Sequence, residues 1–439
     1  MNCTMAEVLQ FVKENDVKFI RLAFCDIFGT QKNISIMPAE LPRAFESGIS
    51  FDASAIHGFM NVEESDLFLV PDPATLSILP WRPIQGRVVR MFCDIKRPDG
   101  TSFEGDTRNL LRLAVKKAEN MGCQCKIGAE CEFYLFELDE TGEPTLVPHD
   151  CAGYFDMAPL DKGENVRREI CLTLEEMGIQ PESSHHEQGP GQNEIDFRYS
   201  DALSAADNLT TFKWVVKTTA ARNGLHASFL PKPLAHKSGS GLHVNMSLTK
   251  NGINLFDQTG FEHNKEVESF MQGILGRIHE MTAFFNPIVN SYKRFGSFEA
   301  PKYITWSHQN RSQLVRIPAA KGEYSRMELR SPDPACNPFT AFALLIFAGL
   351  EGIEQHKTLC APADFNLFAA SPQQLEGIAT IPQSLEQALD IAQSSGFIKS
   401  IFSENTLEKY LAAKHAECES YAAAQNKEQF ELEHYFMKY

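Results

Sequence analysis

Two glutamates lie two residues apart in KIGAECEFYLF (126–136), a segment that otherwise has the composition of a buried β-strand. Successive side chains of a strand point to opposite faces, so Glu130 and Glu132 share one face and the apolar residues between them share the other. Two carboxylates this close raise each other's pKa unless a cation such as a metal ion neutralises them. The pair alone also fits an amphipathic strand with its polar face in water, so other segments must decide.

The same alternation recurs in SSHHEQGPGQNEIDFRY (183–199), GSGLHVNMSL (239–248) and SRMELRSPDP (325–334). Each segment places polar residues on one face of a predicted strand: Glu187 and Glu194, then His243, Asn245 and Ser247, then Glu328 and Arg330. If these strands line one surface, five glutamates and one histidine converge there without a cysteine. Hard oxygen ligands with a single imidazole suit Mg²⁺ or Mn²⁺ better than structural zinc.

Arginines occur in the same part of the chain: Arg294 in NSYKRF, Arg311 and Arg316 in QNRSQLVRIP, and Arg330 two residues after Glu328. Guanidinium groups bind carboxylates and phosphates bidentately, which favours a polyanionic substrate such as a nucleoside triphosphate. Divalent metals with arginines around phosphates are typical of phosphoryl transfer, although the P-loop, kinase and dinucleotide motifs are absent. These residues predict a metal-dependent, ATP-using enzyme.

Length, net charge and cysteine content limit the class of protein and its partners. A chain of 439 residues predicts two domains, and a net charge of −16 disfavours nucleic acid or an anionic membrane as the main partner. Eleven cysteines without framework spacing, and a start without signal-peptide features, predict a cytoplasmic protein with reduced thiols. The longest apolar run, FTAFALLIFAGL (339–350), is too short to span a bilayer and predicts a core helix.

The elements that must position the polar residues can be placed from periodicity. We expect a short helix at 5–14, paired strands at 18–27 and 31–36, and the end of a small mixed domain near 97–106. Asp106 is expected to cap a helix that Gly122 closes. Further helices are predicted at 164–177, 204–223, 265–284 and 337–350.

Many motifs in order carry a resemblance to the glutamine synthetase family, in its short prokaryotic type I form. They include FDASAIHGF (51–59), GAECEFYLF, SSHHEQGPGQNEIDFRY, PKPLAHKSGSGLHVNMSL, NSYKRF and MELRSPDPACNP, and the match runs nearly end to end. The resemblance implies an α+β protein: a small β-grasp-like N-terminal domain (1–100) and a large catalytic domain (101–439) with a curved antiparallel sheet flanked by helices. It also implies a homododecamer of two hexameric rings, in which each active site is completed by the neighbour's N-terminal domain.

The resemblance assigns roles to the residues above. One metal would be held by Glu132, Glu187 and Glu194, and the other by Glu130, His243 and Glu328. Arg294, Arg330 and Gly239 would hold glutamate, Arg311 and Arg316 the phosphates, and Asn245 and Ser247 would lie beside ATP.

The implied reaction has two steps. The γ-carboxylate of glutamate attacks ATP to give γ-glutamyl phosphate, and ammonia then displaces phosphate to give glutamine. Ammonium would enter a pocket formed by Asp52 of the adjacent subunit with Tyr154 and Glu187. Glu299, on a flap, would close over the intermediate and exclude water.

Several positions depart from the family pattern. Ala55 stands where a hydroxyl residue is usual beside the ammonium pocket, Ser238 replaces an asparagine, Asn61 replaces an arginine used in feedback by glutamine, and the flap KRFGSFEAP is one residue shorter than the common form. Two alternatives therefore stay open. One is a γ-glutamyl ligase for an organic amine or polyamine, and the other is a catalytically silent oligomer.

Overall fold

The computed structural model describes residues 3–257 and 264–439. Its N-terminal part is a six-stranded sheet with the order β2-β1-β6-β4-β3 and with β5 paired to β6. The β1–β6 pair is parallel and the other pairs are antiparallel. The strands are β1 (Val17–Cys25), β2 (Gln31–Ile36), β3 (Ile49–Asp52), β4 (Asp66–Pro71), β5 (Ser77–Ile78) and β6 (Arg87–Lys96), accompanied by α1 (Met5–Glu14) and α2 (Leu41–Ser47).

Local sequence explains the first elements, and the predicted helix 5–14 and strand pair are confirmed. Thr4 caps α1: its hydroxyl accepts from the Glu7 amide at 3.3 Å, and the Glu7 carboxylate accepts from the Thr4 amide at 2.6 Å. The β1–β2 turn requires glycine at position 29. There φ is +83°, and a Cβ would lie 2.7 Å from the Asn337 Cα.

The second sheet has eleven strands, with the main order β15-β16-β17-β13-β7-β10-β9. It is antiparallel except for the parallel edge pair β15–β16, so the sheet is mixed. Its strands are β7 (Cys123–Leu138), β8 (Pro144–Pro148), β9 (Pro181–His186), β10 (Gln192–Phe197), β11 (Ser200–Asp201), β12 (Leu225–Ser228), β13 (Leu242–Lys250), β14 (Ile253–Asn254), β15 (Trp306–His308), β16 (Val315–Ile317) and β17 (Met327–Leu329).

Helices cover one face of this sheet, and each helix predicted after residue 100 is confirmed to within a few residues at its ends. The helices are α3 (Thr107–Asn120), α4 (Glu164–Glu176), α5 (Ala202–Arg222), α6 (Lys265–Phe285), α7 (Pro338–Glu354), α8 (Pro372–Leu375), α9 (Leu385–Ser394), α10 (Gly396–Ile401), α11 (Glu404–Ala423) and α12 (Lys427–Glu431). Within the described residues, no helix is long and apolar enough to cross a membrane.

The face of β7 that carries no carboxylates forms the core. Ala129, Cys131 and Phe133 are buried, and the Phe133 ring lies 6.1 Å from that of Phe212 on α5. Because the side chains of β7 alternate, Glu130 and Glu132 must point to the opposite face, away from the helices. The fold therefore presents the paired carboxylates on the open side of a rigid sheet.

Candidate active site

Strand register brings the predicted carboxylates into adjacent rows. Glu132 on β7 lies opposite Glu194 on β10, while Glu130 lies between Asp196 on β10 and His243 on β13. Directly opposed residues of antiparallel strands have Cβ atoms about 4.5–5.5 Å apart. Four carboxylates and an imidazole are thus held side by side by backbone hydrogen bonds alone.

Glu328 extends this cluster on β17, where it lies opposite Asn245 of β13. The His243 Nδ1 lies 3.2 Å from a Glu130 oxygen and 4.0 Å from a Glu328 oxygen, and ligand atoms of all three residues fall within 4.8 Å of one another. Glu328 is fully buried, and its two carboxylate oxygens are paired with Arg316 Nε at 2.6 Å and Arg330 Nε at 3.1 Å. A carboxylate has about four lone-pair sites, so Glu328 can still share an oxygen with a cation, as the predicted Glu130, His243 and Glu328 set requires.

The other predicted ligand set is spread over two overlapping groups that share Glu194. Ligand atoms of Glu132, Glu194 and His243 lie within 4.8 Å of one another, as do those of His185, Glu187 and Glu194. The structure therefore brings both Glu132 and Glu187 close to Glu194. This arrangement leaves room for more than one hard cation among these carboxylates.

Electrostatics on this face favour a bound cation. Burial and the charge of Asp196 raise the pKa of Glu194 well above its ordinary value, and burial and the charge of Glu130 raise that of Asp196 to about 6. Burial also raises the pKa of Glu132. Burial acts to raise the pKa of Glu130 too, but the hydrogen bond and charge of His243 outweigh it and lower the pKa. The raised pKa values of Glu132, Glu194 and Asp196 mean that their charged forms are disfavoured on this face, and bound divalent ions would stabilise those charged forms.

Arginines form the opposite wall of a cavity of about 740 Å³ that the carboxylates line. Arg294 is buried, and its two terminal nitrogens donate to the carbonyls of Ser331 and Arg330 at 2.9 Å each. A Cβ at Gly239 would lie 2.5 Å from the Pro231 carbonyl oxygen and 3.0 Å from the Arg294 Cγ. All five residues predicted to bind glutamate or phosphate on this side border the cavity: Gly239, Arg294, Arg311, Arg316 and Arg330. Two of them also form ion pairs with Glu328, from Arg316 Nε at 2.6 Å and from Arg330 Nε at 3.1 Å.

A smaller cavity of about 220 Å³ adjoins the first and contains the two residues predicted to lie beside the nucleotide, Asn245 and Ser247. Asn245 donates to Glu130 at 2.8 Å and accepts from Arg326 Nε at 2.8 Å. The rings of Tyr199 and Tyr324 also line it. Aromatic rings beside polar groups can bind a purine base, and the arginines of the adjoining cavity could bind the phosphates attached to it.

Two predicted residues lie at the mouth of the larger cavity. Tyr154 is half-exposed and stacks on Phe155, with ring centroids 4.0 Å apart. Glu299 follows Phe298 on the predicted flap, and both have left-handed backbone, with φ of +64° and +48°. Neither is glycine, so this part of the flap is strained.

Two predicted site residues line neither cavity: Glu328, which is fully buried, and Asp52. Asp52 ends β3 in the N-terminal sheet, where it is exposed and accepts from the Ser54 amide at 2.9 Å and the Ser54 hydroxyl at 2.6 Å. These hydrogen bonds lower the pKa of Asp52. A single chain does not bring Asp52 to the metal-ligand face.

The structure adds four residues to the site that the sequence reasoning missed: His185, Gln192, Asp196 and Arg326 line the larger cavity. Gln192 Nε2 donates to Glu132 at 3.1 Å, and His185 Nε2 lies 3.0 Å from a Glu187 oxygen. A signal existed, because all four residues lie in segments already selected for their alternation. Asp196 in particular is two residues after Glu194 on the same face.

Fold and site together define a class: a two-sheet α+β protein whose larger sheet carries a carboxylate and imidazole cluster facing an arginine wall. Comparison with known proteins agrees with this class and identifies one family within it. Residues 104–435 match the model of the glutamine synthetase catalytic domain, and residues 16–98 match that of the glutamine synthetase β-grasp domain. The chain belongs to the glutamine synthetase family.

Relatives cover nearly the whole chain. The glutamine synthetase of Clostridium saccharobutylicum is 47% identical over 99% of both chains, and that of Methanosarcina mazei is 49% identical over 96% of both. Among solved structures, the Plasmodium falciparum glutamine synthetase superposes with a TM-score of 0.87 at 27% identity, covering 99% of both chains. A structure described as a GmaS/ADP complex gives a TM-score of 0.87 at 29% identity, again over 99% of both. The predicted family and fold class are confirmed.

Proposed function

We propose that this chain ligates ammonium to the γ-carboxylate of L-glutamate at the expense of ATP, giving glutamine, ADP and phosphate. Glutamine synthetases from two organisms that match along nearly all of the chain support this activity. The single structural observation that carries the proposal is the cavity that Glu130, Glu132 and His243 line together with the buried Arg294 and Arg330, while Glu328 lies within ligand distance of Glu130 and His243. Enzymes that transfer phosphoryl groups typically place carboxylates that bind metal ions beside arginines that bind phosphates.

Divalent cations are the cofactors in this proposal, as the family uses them together with ATP. At least two Mg²⁺ or Mn²⁺ ions would be held by Glu130, His243 and Glu328, and by Glu132, Glu187 and Glu194. The close approach of ligand atoms in these groups and the oxygen-rich ligand set support this assignment. When bound, such ions neutralise charge on the transferring phosphoryl group.

The first step uses the arginine wall. Arg294 and Gly239 border the part of the cavity in which glutamate would lie, with Arg330 beside them. Arg311 and Arg316 would bind the phosphates of ATP, while Asn245 and Ser247 line the smaller cavity for its base. An oxygen of the glutamate γ-carboxylate attacks the γ-phosphorus, the bond to ADP breaks, and γ-glutamyl phosphate forms.

The second step uses the mouth of the cavity. Ammonium would lie between Tyr154 and Glu187 of one chain and Asp52 of the adjacent one. After it loses a proton, ammonia attacks the acyl carbon and phosphate leaves. Glu299 on the flap would cover the acyl phosphate, because water competes with ammonia for that carbon.

Assembly is part of the proposal. Asp52 is exposed and does not line the cavity of its own chain, so the proposed ammonium pocket needs the Asp52 of a second subunit. We propose a homododecamer of two hexameric rings, with the N-terminal domain (1–100) of one subunit completing the catalytic domain (101–439) of its neighbour. Asp52, Tyr154 and Glu187 together favour ammonium over an organic amine, since only a small cation needs negative groups on several sides.

The test supplies glutamate, ATP and Mg²⁺ with ammonium, methylamine, ethanolamine or putrescine, identifies products by mass and measures phosphate release. We expect glutamine, with the highest kcat/KM for ammonium. A higher kcat/KM for an organic amine would replace this function with that of an amine ligase. Absence of phosphate release with every amine would favour the silent oligomer instead.

A further inference from the structure

Lys232 joins two loops of the active site. It lies in the segment that follows β12 and is buried, and its ammonium donates to the Lys237 carbonyl in the loop that leads to Gly239. The same ammonium lies 4.5 Å above the ring centroid of Phe298. Phe298 directly precedes Glu299 on the flap, so one cation contacts both the glutamate side and the flap.

The position of Lys232 is fixed by its main chain. Its amide donates to the Asn290 side chain at 2.7 Å, and its carbonyl accepts from the same side chain at 3.0 Å. Among the residues described, no carboxylate lies within 4.0 Å of its ammonium. Burial lowers the pKa of Lys232, and the charge of Arg294 adds to this. A partly desolvated ammonium without an anionic partner interacts strongly with an aromatic face.

The flap itself has few other anchors. Its own backbone closes through Gly296 to Ala300 at 2.8 Å and Ala300 to Ser297 at 3.0 Å. Arg330 reaches the Glu299 carbonyl only at 3.4 Å. Phe298 is half-exposed and, like Glu299, has strained left-handed backbone. A contact that ties Phe298 to a fixed lysine therefore matters for where the flap rests.

We propose that Lys232 is a positioning residue that holds the flap closed through Phe298 and thereby protects the acyl phosphate from water. This inference rests on the proposed function, since it needs γ-glutamyl phosphate as the intermediate. An open flap admits water to the acyl carbon. The acyl carbon–oxygen bond then breaks, phosphate leaves and glutamate is regenerated, so the net reaction is hydrolysis of ATP to ADP and phosphate.

The ratio of phosphate released to glutamine formed measures this leak. Loss of the contact should change the closed-to-open ratio of the flap about 2- to 30-fold. We expect Lys232→Met and Phe298→Leu each to raise the ratio above the wild-type value at limiting ammonium. Lys232→Arg, which keeps a cation, should restore most of the coupling. The double variant Lys232→Met with Phe298→Leu should leak no more than the worse single variant, because both remove one interaction.

Lys427 provides a matched control. Its ammonium lies 4.8 Å from the Tyr421 ring centroid and donates to the Ala422 carbonyl at 2.8 Å, remote from both cavities. Lys427→Met loses the same kind of contact, and its phosphate-to-glutamine ratio should stay at the wild-type value.

The outcomes separate the inference from the proposed function. If wild type forms no glutamine, the proposed function fails. If wild type forms glutamine but Lys232→Met and Phe298→Leu keep its ratio, the positioning role is wrong. Thermal midpoints and oligomer size identify variants that fail to fold, and Phe298→Leu, which leaves the Lys232 hydrogen bond intact, then decides alone.

Discussion

Two regions of the cavity are built in different ways. On the sheet face, Glu130, Glu132 and Glu328 are held by strand register and are largely removed from solvent. At the mouth, Tyr154 and Glu299 lie on loops and are exposed, and Glu299 has left-handed backbone. In the proposed function, one folded chain therefore supplies the candidate metal ligands, whereas the candidate amine pocket depends on loops and on a second chain.

The largest effect is expected where the sheet face is most buried. Glu328→Gln removes the charge that pairs with Arg316 and Arg330 and leaves both guanidinium groups uncompensated, which should lower the free energy of unfolding by about 3–5 kcal/mol. Because changes to even the outer partners of a metal site cost about 10- to 100-fold, we expect kcat/KM for glutamine formation to fall about 100-fold or more. Calorimetry with Mn²⁺ should show a weakened site.

The control for that variant is Glu354→Gln, which removes an exposed carboxylate paired with Lys117 at 3.0 Å. It should leave both rate and metal affinity unchanged, since exposed ion pairs contribute about 0–1 kcal/mol. An active Glu328→Gln enzyme with normal Mn²⁺ affinity would remove the sheet face from the chemistry.

The next effect lies on the border between the two regions. His186 is buried, with Nε2 2.8 Å from Asp150 and Nδ1 donating to the Glu187 carbonyl at 2.7 Å. Burial acts to lower the pKa of His186, but Asp150 outweighs it and raises the pKa. Burial acts to raise the pKa of Asp150, but His186 and backbone amides lower it. The pair therefore holds the main chain at Glu187 in place, and the strength of this interaction depends on pH.

His186→Gln should lower the free energy of unfolding by about 3 kcal/mol between roughly pH 4 and 6.5, where both partners of the wild-type pair are charged even at their unfolded pKa values. The wild-type contribution is lost as pH rises through the raised pKa of His186, and as pH falls through the lowered pKa of Asp150. Denaturant unfolding at pH 5.5 and pH 9, with His415→Gln as the control, measures this. An equal difference at both pH values would contradict a charged pair.

The smallest effect concerns the mouth. Ala55→Ser should restore a hydroxyl beside the ammonium pocket, and a hydrogen bond to a charged group contributes about 1.5 kcal/mol or more, or roughly 10-fold in affinity. We expect KM for ammonium to fall about 10-fold with kcat little changed. Ala55→Thr should lower KM as well, whereas Ala55→Val, which has the shape of threonine without the hydroxyl, should not. Equal values for wild type and Ala55→Ser would show that this position does not face the amine.

The sheet face could be predicted from the sequence because period-two alternation is a local signal. Glu130, Glu132, His243 and Glu328 each have an apolar neighbour on either side, Glu194 has one in Ile195, and the register confirms that these five residues share one surface. The long helices followed from their caps and apolar content in the same way. Which carboxylates would pair across strands could not be predicted, because register depends on contacts distant in sequence.

The structure at the mouth of the larger cavity could not be predicted from local sequence patterns. Nothing in the spacing around Phe298 and Glu299 indicates left-handed backbone, since both are residues that normally avoid it. The contact between Lys232 and Phe298 joins residues 66 positions apart and has no periodic signature. The parallel edge pair β15–β16 was likewise invisible, because strands of three residues are too short to show alternation.

Complementation tests most directly the claim that the two regions of a working site come from different chains. Asp52→Ala and Glu328→Ala chains are each expected to be inactive, and mixed oligomers formed by subunit exchange should regain activity. In a mixed oligomer some sites combine an intact sheet face from one chain with an intact Asp52 from the other. We expect glutamine formation well above that of either parent. Mixed oligomers that stay inactive, while labelled subunits demonstrably exchange, would contradict it.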